Sequence, residues 1–300
     1  MNLNRRDFLK MCGAGVAALG IGAKFAPPTL EPTFRHVPIS PKSGNGMLID
    51  TTACVGCRSC QRACKVANNL PGDGREICLS ANTLTFVDMR NTSASPDAPA
   101  IQPIKRQCMH CENPACVSVC PVGALTKQEN GCVTYAADKC IGCRYCMVAC
   151  PFGVPKYDWE SPNPKINKCA QDCMANGKRD RPACVQSCPN KALLYGNREE
   201  LLTIAHGRIA QNPDKYINQV YGEKEIGGTS MLYLSKIPFE WLGFRTDLPT
   251  ENLPELTWNA QSKIPAVLGT MLALLSGIAW WTHRGEQKKL VESPVTVTNE

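Results

Sequence analysis

The sequence predicts an α+β fold made of two small lobes related by an internal repeat, followed by a single membrane-crossing helix. Three observations carry this prediction. The 300-residue chain holds 19 cysteines, and most of them fall into four tight groups. The groups share one spacing plan, which is the mark of a repeated unit. An uncharged apolar run, Ile264 to Trp281, stands near the C-terminus of a chain whose mean hydropathy is only −0.21. Three hundred residues are enough for one or two domains with a core. Hydrophobic residues at 43% and charged residues at 20% are ordinary globular usage, which excludes a disordered or collagen-like chain. The mean hydropathy excludes a polytopic membrane protein.

The N-terminus reads Asn4-Arg5-Arg6-Asp7-Phe8-Leu9-Lys10, followed by a small-residue apolar run from Met11 to Ala23. A charged start and a Gly/Ala-rich apolar stretch ended by Pro27-Pro28 read as an export signal of the twin-arginine type. Residues 1–26, with Cys12, are therefore set apart from the fold, and residues 27–46 read as a Pro-rich tether.

A strand over Met47–Asp50 leads into the first cysteine group, Cys54, Cys57, Cys60 and Cys64, spaced C-x2-C-x2-C-x3-C. The third group, Cys140, Cys143, Cys146 and Cys150, repeats that spacing and ends in Pro151. This is the bacterial ferredoxin run, in which three cysteines hold one [4Fe-4S] cluster and the fourth holds its neighbour. Two-residue gaps let a loop wrap a cubane corner, with Gly56 and Gly142 supplying turns a side chain would obstruct. The three-residue step puts the last thiolate on a short helix, which Pro151 ends. The second group, Cys108, Cys111, Cys116 and Cys120-Pro121, widens the loop to C-x2-C-x4-C-x3-C-P. The fourth, Cys169, Cys173, Cys184 and Cys188-Pro189, is spaced C-x3-C-x10-C-x3-C-P. Taken alone the fourth group would also suit a zinc ribbon. Beside three ferredoxin-like groups it reads as a cluster site, because Cys64 needs a second cluster to bind.

The fold class is thus two ferredoxin-like bis-[4Fe-4S] lobes within residues 47–238. Exchange of each fourth cysteine predicts four ligand sets. Cys54, Cys57 and Cys60 go with Cys188, and Cys169, Cys173 and Cys184 with Cys64. Cys108, Cys111 and Cys116 go with Cys150, and Cys140, Cys143 and Cys146 with Cys120. Cys12, Cys78 and Cys132 are left over. Cys132 lies in a predicted hairpin, Ala124–Lys127 and Cys132–Tyr135 around Asn130-Gly131, as a buried small apolar residue; Cys78 has no role.

Asn91 to Pro103 reads as a Ser/Pro/Ala loop. A strand over Ala192–Gly196 leaves group four, and Asn197 with Glu200 makes a capping box for a helix through about Gln211. Met231–Leu234 follows the Gly227-Gly228 turn as a late strand. Residues 239–263 carry polar residues and prolines and read as a linker, 264–283 as the transmembrane helix and 284–300 as a cytoplasmic tail. As a helix Ile264–Trp281 spans about 27 Å, near the hydrocarbon thickness. Lys263 precedes it, and Arg284, Lys288 and Lys289 follow. With an exported N-terminus, one crossing leaves that basic tail in the cytoplasm, in keeping with the positive-inside rule.

Other chemistries are weaker. His110 within Cys108-Met109-His110-Cys111 lacks the second histidine a Rieske centre needs, and reads as a group behind the ligands or at the surface. No Walker loop, dinucleotide fingerprint or H-E-x-x-H is present, and Tyr221-Gly-Glu-Lys-Glu-Ile-Gly-Gly lacks the Lys-Ser/Thr of a phosphate loop. The formal charge of +7 does not imply a nucleic-acid partner. Sixteen cluster thiolates and four cores of about 2+ contribute about −8, which takes the chain to about −1. Arg58, Arg62, Lys105, Arg106, Arg144 and Lys168 then offset cluster charge or face a partner.

On Cys54-Val-Gly-Cys57, Lys105-Arg106-Gln107-Cys108-Met109-His110-Cys111, Cys140-Ile-Gly-Cys143-Arg-Tyr-Cys146-Met-Val-Ala-Cys150-Pro151 and Tyr221-Gly-Glu-Lys-Glu-Ile-Gly-Gly-Thr229, the chain resembles the four-cluster electron-transfer subunits of membrane-bound oxidoreductases. It is most similar to the HybA-type subunits of periplasmic hydrogenases, and also to the iron–sulfur subunits of respiratory formate dehydrogenases. The twin-arginine signal favours the hydrogenase type. One departure is the x3 gap between Cys169 and Cys173, where the family normally has x2. The resemblance implies four [4Fe-4S] clusters and no catalytic residue. It implies electrons relayed from hydrogenase small and large subunits, or from a molybdopterin catalytic subunit, to an integral membrane quinone-reactive subunit. The implied location is the periplasmic face of the cytoplasmic membrane, with the anchor helix in contact with lipid.

Overall fold

The computed structural model describes residues 44–93, 99–159, 165–169 and 181–292. The export signal with Arg5 and Arg6, and Cys12 and Cys173, lie outside the described residues.

At the centre is a three-stranded sheet. β1 (Asn45–Asp50) lies between β8 (Leu193–Asn197), antiparallel with Met47 opposite Tyr195, and β9 (Met231–Leu234), parallel with Met47 opposite Met231. The period of two along a strand separates the side chains into two cores. Met47, Ile49, Met231 and Tyr233 face an aromatic core that also receives Cys60, Cys111, Cys184 and Cys188. Leu48, Leu232 and Leu234 face α5 (Arg198–Gln211), which presents Leu201, Ala205 and Ile209 at helical spacing. Burying a Leu or Ile side chain of this kind stabilises the fold by about 1.5–3 kcal/mol. Asn197 caps α5, with Oδ1 accepting from Glu199 N at 2.9 Å, and Glu199 and Glu200 lie in the first turn where the helix dipole favours negative charge.

Three two-stranded ribbons flank this sheet. β4 (Leu125–Lys127) and β5 (Val133–Tyr135) form the hairpin expected around Asn130-Gly131. Gly131 has φ +85°, and a Cβ there would meet Asn45 O at 2.5 Å, so the turn presses directly on the start of β1. β6 (Lys156–Tyr157) pairs with β7 (Ile166–Asn167). β2 (Phe86–Asn91) and β3 (Ile101–Arg106) form a hairpin that corrects the loop reading of Asn91 to Pro103. The Ser/Pro/Ala composition marks the turn but not its flanks. Pro103 is tolerated within β3 because, among the described residues, β3 has only one strand neighbour.

Four short helices begin inside the cysteine groups: α1 (Ser59–Ala67), α2 (Ala115–Ser118), α3 (Tyr145–Ala149) and α4 (Ala183–Gln186). α1 packs on α4 and α2 on α3, so group one meets group four and group two meets group three.

The segment read as a linker from residue 239 does not begin as one. Phe239, Leu242 and Phe244 are buried beside Tyr221 and Tyr233, with the Tyr221 and Phe244 ring centroids 4.6 Å apart. The prolines and polar residues of this stretch concealed three aromatic and aliphatic anchors that close the core. Beyond them come α6 (Leu253–Gln261), with Pro254 in its first turn, and α7 (Ile264–Glu292), which runs past the expected end at 283. Leu253–His283 is long and apolar enough to cross a membrane, and its side chains lie outside the core.

Candidate metal centres

The local geometry of each group follows from a repeated backbone device. Gly56 and Gly142 both have φ +71°, and the next arginines, Arg58 and Arg144, sit in the left-handed region at φ 60° and 63°, each capping a short helix. The left-handed pair curls the chain so that successive thiols point into one hollow. Groups two and four use another device: Pro114-Ala115-Cys116-Val117 and Pro182-Ala183-Cys184-Val185 are the same tetrapeptide, with an extended proline starting each helix. That identity is a sequence signal of the repeat which the cysteine spacing alone does not reveal.

The described thiols lie near one another in groups. Cys54, Cys57, Cys60 and Cys188 line one hollow, walled otherwise by side chains such as Ile49, Val87 and Leu193. Burial pushes the Cys60 thiol up to about 11, against the pull of Lys105, whereas hydrogen bonds from Ser59 lower exposed Cys57. Cys60 neighbours Cys184, and Cys184 and Cys169 both face Lys105. Cys64, on α1 against α4, receives Asn68 Nδ2 at 3.6 Å. Cys108, Cys111, Cys116 and Cys150 are mutual neighbours; burial first and the adjoining thiols second push Cys116 up to about 12. Cys120, Cys140 and Cys143 surround Cys146, which burial raises to about 11. Backbone N–H groups reach two of these sulfurs, from Ala124 to Cys120 at 3.2 Å and from Gly142 to Cys140 at 3.4 Å. The sets are contiguous, because Cys108 also neighbours Cys169 and Cys116 neighbours Cys146.

The polar groups between the sets explain how so many thiolates can be buried together. Lys105 is 2% exposed, and its Nζ donates to Thr85 Oγ1 at 3.0 Å. Burial alone would lower its ammonium, but Cys184, Cys60 and Cys169 outweigh that and hold it above its usual range. Lys168 is buried as well, donating to Val133 O and to Cys169 O. Burial would raise Cys108, yet His110 and Lys168 draw it down to about 7. Of the cations expected to offset cluster charge or face a partner, Lys105 and Lys168 lie among the thiols, whereas Arg62 and Arg144 are exposed. His110 is not at the surface: it is fully buried with φ +46°, and Nδ1 accepts from Val133 N at 2.9 Å. The thiols of Cys108, Cys132 and Cys169 lie within its hydrogen-bonding reach. Lys127, which the sequence did not single out, is another buried cation, donating to the carbonyls of His110 and Cys111. Cys132 is buried and Cys78 exposed.

Four soft thiolate donors around a small hollow, with N–H groups on the sulfurs, are the donor set of an iron–sulfur centre and do not suit a hard cation. Residues 100–198, which hold groups two to four, match the family model of the 4Fe-4S dicluster domain. The hydrogenase-2 operon protein HybA of Escherichia coli O157:H7 is 38% identical over 87% of this chain and 88% of its own. The chain belongs to the HybA family. A protein of Nitratidesulfovibrio vulgaris is 42% identical over 95% of this chain and 78% of its own. The nitrate-inducible formate dehydrogenase iron-sulfur subunit of Escherichia coli is 32% identical over 62% of this chain and 66% of its own. HybA-family membership thus joins the dicluster match in identifying an iron–sulfur protein.

Proposed function

We propose that this chain relays electrons through four [4Fe-4S] clusters, from a periplasmic hydrogenase catalytic dimer to a quinone-reducing membrane subunit. The observation that carries the reading is a succession of neighbouring described thiols that runs from the exposed Cys57 to the exposed Cys143. The sets favour the exchanged ligand scheme, with Cys188 beside Cys54 and Cys60, Cys150 beside Cys108 and Cys116, and Cys120 beside Cys146. Packing of α1 on α4 supports Cys64 in the remaining set with Cys169 and Cys184, for which the sequence supplies Cys173. A cluster bound in each set would accept and pass on one electron. Four thiolates would hold each cluster and leave no open iron position for a substrate. Met47, Ile49, Met231 and Tyr233 exclude water from the middle of the row, and Lys105 and Lys168 offset thiolate charge. The lobe of groups two and three is tied to the membrane segment, because α2 packs on α6 and Asn113 Nδ2 donates to Asn252 Oδ1 at 3.0 Å. On this reading the lobe of groups two and three faces the membrane, the cluster domain is periplasmic and the tail after α7 is cytoplasmic.

Anaerobically purified full-length protein should contain about sixteen iron and sixteen sulfide per chain and show reversible reduction of four interacting centres by EPR. About eight iron would leave a dicluster protein and end the four-cluster reading. The similarity to formate dehydrogenase subunits keeps a second donor in view, a molybdopterin catalytic subunit. Subunits that co-purify with the native complex distinguish the two. For topology, a reporter fused after Glu300 should be active only as a cytoplasmic protein.

A further inference from the structure

We propose that, in the filled centre of Cys120, Cys140, Cys143 and Cys146, Tyr157 and Tyr135 donate O–H···S hydrogen bonds to the sulfurs at Cys146 and Cys140, and so raise its reduction potential. This rests on the four-cluster reading above. Tyr157 lies on β6, is 3% exposed, and packs in one apolar cluster with Cys146, Leu125, Val133 and Ile166. Its hydroxyl is fully buried and has no hydrogen-bond partner among the described residues, and Cys146 packs in the same cluster. Burying a hydroxyl without an acceptor costs about 1–3 kcal/mol, so a phenol in place of a phenyl ring here implies an acceptor supplied by the filled centre, at the Cys146 sulfur it packs beside.

Tyr135 lies on β5 beside the same centre. Its oxygen already accepts from Ile166 N at 3.3 Å, which leaves the O–H to donate, and Cys140 packs against the same cluster. Ile166 is also the register partner of Tyr157 in the β6–β7 ribbon. One short ladder therefore fixes both phenols, and neither depends on a loop rotamer. Arg144 covers the outer side, stacked 5.6 Å from the Tyr157 ring centroid and 4.3 Å from that of Trp159.

Reduction adds one electron, arriving from the neighbouring centre of the row, and spreads negative charge over iron and sulfur. A donor aimed at sulfur favours the reduced form and shifts the potential upward. The phenol protons stay on oxygen throughout, so no proton is released. That centre becomes a better electron acceptor, which draws electrons toward its end of the row.

The test is an EPR-monitored redox titration of the full chain, comparing wild type with Tyr157→Phe, Tyr135→Phe and the double variant. Expected is unchanged iron content with one centre shifted negative. At fixed potential its reduced-to-oxidised ratio should fall about two- to tenfold per hydroxyl removed, a tenfold change being 59 mV for one electron. Normal iron in both single variants with no centre shifted would overturn the inference and leave the relay intact. A wild-type chain without four centres would instead remove the reading beneath it. If Tyr157→Phe loses the centre, Tyr135→Phe, at a half-buried position, decides by the same shift.

Discussion

Lys127 gives the sharpest test of how the second cysteine group is held. Its side chain is 2% exposed, and Nζ meets Gly131 O at 2.9 Å, Cys111 O at 3.0 Å, His110 O at 3.2 Å, Ser230 Oγ at 3.2 Å and Glu112 Oε1 at 3.4 Å. One ammonium thereby joins the Cys108–Cys111 loop, the β4–β5 turn and the entry to β9. Lys127→Met keeps most of the side-chain volume and removes the charge. It leaves three carbonyls without that donor and the 7% exposed Glu112 carboxylate with Ser230 Oγ at 2.9 Å and Arg198 Nε at 3.8 Å. Breaking a buried pair costs about 3–5 kcal/mol, and the remaining partners of Glu112 favour the lower end. At about 3 kcal/mol, opening of this region becomes roughly a hundredfold more frequent, a large share of the 5–15 kcal/mol that holds a typical domain. The assay is iron release to a chelator under native conditions, followed by visible absorbance, with EPR identifying the centre lost first. We expect release about a hundredfold faster, beginning at the Cys108, Cys111, Cys116 and Cys150 centre. Adding Glu112→Gln should recover about 1–3 kcal/mol by removing the isolated charge. Release within threefold of wild type in Lys127→Met would refute the reasoning, and a double variant no slower than the single would show that the carboxylate is not the source of the cost.

Cys64→Ser should damage the centre of Cys169 and Cys184 while sparing that of Cys54, Cys57 and Cys60; EPR showing the reverse would reject ligand exchange. Gly222→Ala places a Cβ 2.2 Å from Met231 O at a residue with φ +97°. A cost of about 3 kcal/mol or more should lower the thermal midpoint of cluster loss by about 6–12 °C. A chain stopped after Ser262 lacks α7 and should pass from the carbonate-resistant membrane fraction to the soluble fraction; retention in the membrane would show that another element anchors it.

The parts of the fold legible in the sequence are those set by local rules. The Asn130-Gly131 turn fixed the β4–β5 hairpin, and Met231–Leu234 was marked by the Gly-Gly turn before it. Asn197 signalled the start of α5, although its side chain bonds to Glu199 N where the capping box called for Glu200 N. The cysteine positions could be read because cluster wrapping dictates spacing within one loop. What could not be read depends on contacts distant in sequence. Phe239 and Phe244 become core residues only through Tyr221 and Tyr233, and β3 is a strand only because β2 lies beside it. The burial of Lys127 is likewise invisible locally, since its five oxygens come from residues 110 to 230. Spacing reveals where the thiols are; the cations that let them crowd together are set by the tertiary fold.

The central place of β1 bears on the timing of synthesis. β1 leaves the ribosome early, but its sheet neighbours β8 and β9 end at residues 197 and 234. At about 5–20 residues per second, roughly 150–190 residues separate the strand from its partners, a wait of about ten to forty seconds. During that interval the thiols of Cys54 to Cys64 are exposed on an unpaired segment, open to oxidation or to capture of the wrong metal. A chain laid out this way suits maturation after synthesis is complete, in a reducing compartment where an iron–sulfur donor finds both halves of the sheet together.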